Sequence, residues 1–109
     1  MPEDQRYGHT ELTREEVDGW AGPAVVEFGA NWCGYCQNAQ PIVLNALSEY
    51  PAIPHTKVED GPGRPLGRSY RVKLWPTLIF LKDGVEQSRV VRPESADEIR
   101  ESLAQIAPS

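Results

Sequence analysis

Two residues of this chain have the type and spacing to exchange disulfides: Cys33 and Cys36, its only cysteines. They bracket Gly34 and Tyr35, directly after a Val-rich stretch that reads as a strand and at the start of a segment with helical periodicity. The first turn of a helix leaves unpaired N–H groups and carries the positive end of the macrodipole, so it favours a thiolate at Cys33 over the thiol. Cys36 falls one turn further on, close enough to bridge to Cys33 but turned inward. Such a pair attacks a substrate disulfide with Cys33 and releases it when Cys36 attacks the mixed disulfide. On this reading Cys33 is the exposed nucleophile and Cys36 the buried resolving thiol. The competing chemistry is half of a metal site. A structural zinc takes four ligands, and the remaining candidates, His9 and His55, do not stand at a zinc-finger spacing from the cysteines. His55 is also expected at the end of the sheet opposite Cys33. Neither a metal nor a cofactor is expected.

The elements that must hold this pair are readable from periodicity and punctuation. Residues 1–7 look like a loose terminus, and residues 9–12 like a short edge strand. Thr13 with Glu16 forms a capping box that opens a first helix, which Gly22-Pro23 stops. Residues 24–29 read as a buried strand. From residue 34 to 49 the apolar positions Ala39, Ile42, Val43, Ala46, Leu47 and Tyr50 recur at helical spacing, with Pro41 inside the helix. A weaker strand is expected near 53–58 and a short helix near 64–70, where Arg64, Arg68 and Arg71 share a face that reads as solvated. Residues 77–81 form a strong strand, and Asp83-Gly84 turns it into a partner at 86–91. Ser95 with Glu98 caps a terminal helix whose stripe is Ile99, Leu103 and Ile106. The order is β-α-β-α-β-α-β-β-α. Parallel crossovers early and a hairpin late imply an α/β fold with a mixed central sheet and helices on both faces.

The bulk numbers agree with a single domain over residues 1–109. The chain is 39% apolar and 25% charged, an ordinary globular balance. Its net charge of −5 argues against nucleic acid or an anionic membrane surface as the main partner. The opening residues Met1-Pro2-Glu3-Asp4-Gln5-Arg6 are polar where a secretory leader would be basic and then apolar. A cytoplasmic location is the expectation, where two close cysteines are catalytic or metal-binding rather than a permanent staple.

Several separated segments together resemble the thioredoxin family. They are the run Val26-Glu27-Phe28-Gly29-Ala30-Asn31-Trp32-Cys33-Gly34-Tyr35-Cys36, then Pro41, Tyr70, Trp75-Pro76-Thr77 and Lys82-Asp83-Gly84. The resemblance covers nearly the whole chain and implies the thioredoxin fold. It also implies a protein-disulfide oxidoreductase that cycles between dithiol and disulfide, works on protein disulfides as a monomer, and is recharged by a reductase or other thiol donor. By position, Trp32 would shield the redox pair, and Pro76 would be cis and pack against it. Glu27 stands where the family has Asp, the acid thought to take the proton of the second cysteine. Lys57 aligns with the lysine that faces this acid. Glu27 interrupts an apolar strand, where burial should raise its pKa and suit it to proton transfer near neutrality.

The sequence also departs from the family pattern. Tyr35 replaces Pro, giving a Gly34-Tyr35 dipeptide also found in periplasmic disulfide isomerases. Gly29 replaces a tryptophan and Gln37 a lysine. Trp75 is bulkier than the usual residue before the cis-proline, and Arg92 falls near a glycine of the docking groove. The substrate groove is therefore expected to run over Trp32, Gly34, Tyr35, Trp75, Pro76 and Arg92. The alternative reading is a redox-idle thioredoxin-fold binding or chaperone-like module.

Overall fold

The two most apolar strand signals become the centre of the sheet. In the computed structural model, which describes residues 6–8 and 12–108, the elements are α1 (Arg14–Asp18), β1 (Pro23–Gly29), α2 (Gly34–Leu47), β2 (His55–Glu59), α3 (Pro65–Ser69), β3 (Thr77–Lys82), β4 (Val85–Val91) and α4 (Ala96–Ile106). Among the described residues the sheet has four strands in the order β2-β1-β3-β4. β1 runs parallel to β2 and antiparallel to β3, so the sheet is mixed. Both capping boxes are present, at Thr13 and Ser95.

Side chains alternate across the sheet, and each face has its own core. Val25, Leu78 and Phe80 pack with α2 and α4 through Val43, Ala46, Ile99 and Leu103. Val26, Phe28, Ile79 and Leu81 pack on the other face with Val17, Leu66 and Tyr70. Glu27 shares its face with Val25, so its carboxylate is directed under α2. The hairpin turn places Asp83 and Gly84 at φ 52° and 79°. A Cβ at Gly84 would lie 2.1 Å from the Asp18 carbonyl oxygen, so the turn needs glycine for contact as well as for conformation.

One expectation changes and another falls outside the described residues. The edge strand at 9–12 lies, apart from Leu12, outside the described residues; next to it Gly8 makes one parallel bridge to Val58. The loose terminus does not extend to Tyr7, which is only 4% exposed. Its amide donates to Asn31 Oδ1 at 2.7 Å, and the Asn31 amide returns a bond to its carbonyl. An apolar ring with a polar tip is stable in the interior when that tip finds a partner. Tyr7 finds one in the site.

Candidate active site

Cys33 ends the loop after β1 and is the N-cap of α2. Its sulfur accepts the Cys36 amide at 3.4 Å. Both cysteines are free thiols; Cys36 is buried as expected, at 1% exposure, whereas Cys33 is more enclosed than the sequence suggests, at 6%. Cys33 is therefore not broadly exposed; it sits at the mouth of a small cluster with Tyr7, Ala30 and Cys36, against which Trp75 packs. The Cys36 thiol is pushed up to about 11, first by burial and further by Cys33, against the opposing pull of the Ala30 backbone and the Tyr7 hydroxyl.

The rim is aromatic. Trp32 is 74% exposed and meets Trp75 edge-on at 5.5 Å between ring centroids. Trp75 donates from its indole to Asp60 Oδ2 at 2.9 Å. The Trp75–Pro76 peptide is cis, as the resemblance implies. Arg92, at φ 49°, donates from Nε to the Trp75 carbonyl at 2.9 Å and lays its guanidinium 3.7 Å from the Tyr35 ring centroid. Nothing stands within 4 Å of where a Gly34 side chain would begin. Trp32, Gly34, Tyr35, Trp75, Pro76 and Arg92 thus share one edge. Beside them is an open cleft of about 500 Å³ lined partly by Arg64, Arg68, Arg71 and Lys73, in which Arg64 also pairs with Glu59.

Beneath the cysteines lies a buried polar cluster. Glu27 is fully enclosed. Its Oε1 accepts from His55 Nε2 at 2.8 Å, and its Oε2 accepts from Gln40 Nε2 at 3.0 Å and from the Tyr7 hydroxyl. Burial pushes the carboxyl up, but the His55 bond and charge, the Tyr7 bond and the Lys57 charge outweigh it, and Glu27 lies below its ordinary value. This reverses the sequence expectation. Desolvation was legible from the apolar strand; three convergent donors were not. Hydrogen bonds to the charged form favour it even in the interior. Lys57 is placed across from Glu27 in the β1–β2 register. Its Nζ donates to Gln40 Oε1 at 2.6 Å and stands 4.4 Å from the Tyr7 ring centroid, and Gln40, which in turn donates to Glu27, links it to the acid.

Sequence reasoning missed three of these residues. His55 does begin β2 at the far end, but it lies on the same face as Lys57, two residues on, and its ring reaches back to Glu27. Gln40 sits one helical turn after Cys36, a spacing that could have flagged it. Tyr7 had no periodic signal. Its complement was visible as Gly29: a Cβ there would meet Cys36 Sγ and Tyr7 Cζ at 2.6 Å each, so the missing side chain makes room for the tyrosine.

With this geometry in place, the similarities to known proteins are specific. The thioredoxin family pattern matches residues 9–105. A thioredoxin of Chlamydia pneumoniae is 38% identical over 82 residues, 73% of this chain and 80% of that protein. An H-type thioredoxin of Fagopyrum esculentum is 31% identical over 84 residues, 77% of this chain and 72% of that one. The solved structure of reduced thioredoxin 2 from Pseudomonas aeruginosa PAO1 superposes with a TM-score of 0.85 at 53% identity, covering 95% of this chain and 96% of that chain.

Proposed function

The chain belongs to the thioredoxin family and is a thiol–disulfide oxidoreductase, and from that premise we propose how its residues divide the work. The redox-idle module is not favoured. The observation that carries the division is the asymmetry of the two thiols. Cys33 sits at the helix start with an amide aimed at its sulfur, whereas Cys36 is sealed beneath it with a raised pKa.

Cys33 attacks one sulfur of a protein disulfide and expels the other as a thiolate. Cys36 then gives up its proton and attacks Cys33 Sγ; the bond to the substrate breaks, and its electron pair leaves on the substrate sulfur. The product is the Cys33–Cys36 disulfide, which a reductase or other thiol donor returns to the dithiol. Glu27 receives the proton of Cys36, and Lys57, through Gln40, helps to keep Glu27 ionised beforehand. Trp32, Gly34, Tyr35, Trp75, Pro76 and Arg92 bind the substrate segment: aromatic faces supply apolar contact, and the edge of the cis-proline loop supplies backbone groups.

The chain works as a single-domain monomer in a reducing compartment, the cytoplasm. The compartment is read from the chain's two cysteines, both committed to the redox pair, and the monomer from the family resemblance. Among the described residues no helix is long and apolar enough to cross a membrane.

Insulin reduction with dithiothreitol as donor tests the activity, and trapping tests the roles. Cys36→Ser should accumulate mixed disulfides with target proteins, and Cys33→Ser should accumulate none. Equal trapping by both would overturn the assignment.

A further inference from the structure

The acid and the thiol it is meant to serve have a third residue between them. Around the Cys36 side chain lie Ala30, Cys33 and Tyr7, packed in one buried cluster, with the Cys36 sulfur and the Tyr7 hydroxyl oxygen 2.6 Å and 2.8 Å from the same point, where a Gly29 Cβ would stand. On its other side the same hydroxyl donates to Glu27 Oε2. A phenol has one proton to give. While that proton is committed to Glu27, the Tyr7 oxygen has only lone pairs to offer the Cys36 thiol; once the thiolate forms, the hydroxyl can donate to it, which is the sense in which Tyr7 lowers the thiol. Tyr7 occupies this position only because residue 29 is glycine, since a Cβ would stand 2.6 Å from its ring and 2.8 Å from its hydroxyl oxygen.

We propose that Tyr7 is the proton relay between Cys36 and Glu27 in the resolving step. The proposal rests on the division of roles above and deepens it. The Cys36 S–H proton passes to the Tyr7 oxygen as the tyrosine's own proton passes to Glu27 Oε2. In the same event the Cys36–Cys33 bond forms, the Cys33–substrate bond breaks, and the leaving electron pair departs on the substrate sulfur. One negative charge moves from Glu27 to the leaving thiolate, Tyr7 ends neutral as it began, and no other reactant is needed.

The transfer is unfavourable by itself, because Cys36 is a weak acid and Glu27 a stabilised carboxylate. It proceeds because bond formation consumes the thiolate as it appears. Burial, Glu27 and Cys36 all raise the Tyr7 phenol, so it keeps a proton at every step and conducts rather than ionises. The groups facing the relay are Glu27 from β1, His55 and Lys57 from β2, Gln40 from α2, and Cys33. The competing route is water. A shallow cleft of about 160 Å³, lined by residues including Arg6, Tyr7, Asn31, Cys36 and Lys57, opens on the same side.

Tyr7→Phe keeps the ring over Gly29 and deletes only the hydroxyl. An aromatic disulfide that releases one coloured thiolate on attack by Cys33 and a second on resolution by Cys36 separates the steps in stopped flow. The relay requires Tyr7→Phe to leave the first burst unchanged and to slow the second at pH 7 by about tenfold or more, the low end of positioned proton transfer being about a hundredfold before any rescue by water. The slowed rate should rise about tenfold per pH unit towards the Cys36 ionisation, a steeper profile than wild type. In a Glu27→Gln background, where the relay has no ionised terminus, Tyr7→Phe should add no further slowing. A second burst with wild-type rate and pH profile would overturn the relay in favour of water. Additive slowing in the double variant would overturn it in favour of an independent role for Tyr7. Absence of the first burst in wild type would overturn the assignment of Cys33 itself, and the relay with it.

Discussion

The redox pair lies between two regions built on opposite terms. Above it, Trp32, Tyr35, Trp75 and Arg92 form a rim whose contacts are aromatic edges and one stacked cation, largely in reach of solvent. Below it, Glu27, Tyr7, His55, Gln40 and Lys57 form a buried set in which each polar group depends on the next. Water can replace what a rim residue loses, whereas nothing replaces what the lower cluster loses. The rim can therefore diverge to suit substrates, while the cluster can change only in concert. At the rim Arg92 stacks on Tyr35 and bonds to the Trp75 carbonyl, contacts open to solvent; beneath, Glu27 and Gly29 both meet Tyr7, which bonds to the one and fills the space over the other.

The sharpest way to break the comparison is Glu27→Leu. It strands the His55, Gln40 and Tyr7 donors, and removing one partner of a buried charged network costs roughly 3–5 kcal/mol. Denaturant unfolding of the reduced protein should show that loss; a loss within the roughly 0.5 kcal/mol typical of surface sites would mean that the cluster is no more demanding than the rim. Gly29→Ala comes next. Its methyl has no room against Cys36 and Tyr7, and overpacking of this kind costs about 1–3 kcal/mol. The same measurement checks it.

The pH dependence of stability sharpens the contrast further, because only the lower region titrates against burial. The folded pKa of Glu27 lies below its unfolded value. Its contribution is thus complete above the ordinary carboxylate range, near 4.3, and is lost as pH falls through the lower folded value. Cys36 behaves oppositely. Its contribution is complete below the ordinary thiol value of about 8.5 and is lost as pH climbs towards about 11. Reduced protein should show both limbs. Glu27→Gln should flatten the acid limb, and oxidation to the disulfide, which removes the thiol, should weaken the alkaline one. An oxidised protein with the same alkaline slope would assign that limb elsewhere, with Tyr7 next in line.

The smallest effect belongs to the rim. Arg92→Gly should leave unfolding within about 0.5 kcal/mol, because the residue's contacts are a backbone carbonyl and an exposed ring. It should lower kcat/KM for a protein disulfide about two- to fivefold, the factor that corresponds to roughly 0.5–1 kcal/mol for an exposed cation–π contact. A small aromatic disulfide, too short to reach the rim, should react unchanged. A matching loss with the small disulfide would place Arg92 in the chemistry rather than in docking.

Much of this molecule was written locally. The capping boxes at Thr13 and Ser95, the Asp83-Gly84 turn and the apolar period of α2 need only neighbours three or four residues away, so they could be read directly. The spacing of Cys33 and Cys36 at a strand-to-helix junction was enough to name their chemistry. The parallel register that sets Lys57 opposite Glu27 followed from the family pattern. The ionisation of Glu27 did not, because it depends on donors 13, 20 and 28 residues distant along the chain. Sequence carries the desolvation of a carboxylate in its flanking valines and phenylalanine, but the compensating hydrogen bonds exist only once β2, α2 and the N-terminal segment converge. For the same reason Tyr7 read as part of a loose terminus. Its burial is decided by the missing side chain at Gly29, and a cavity in one strand and the ring that fills it become complementary only in the folded protein.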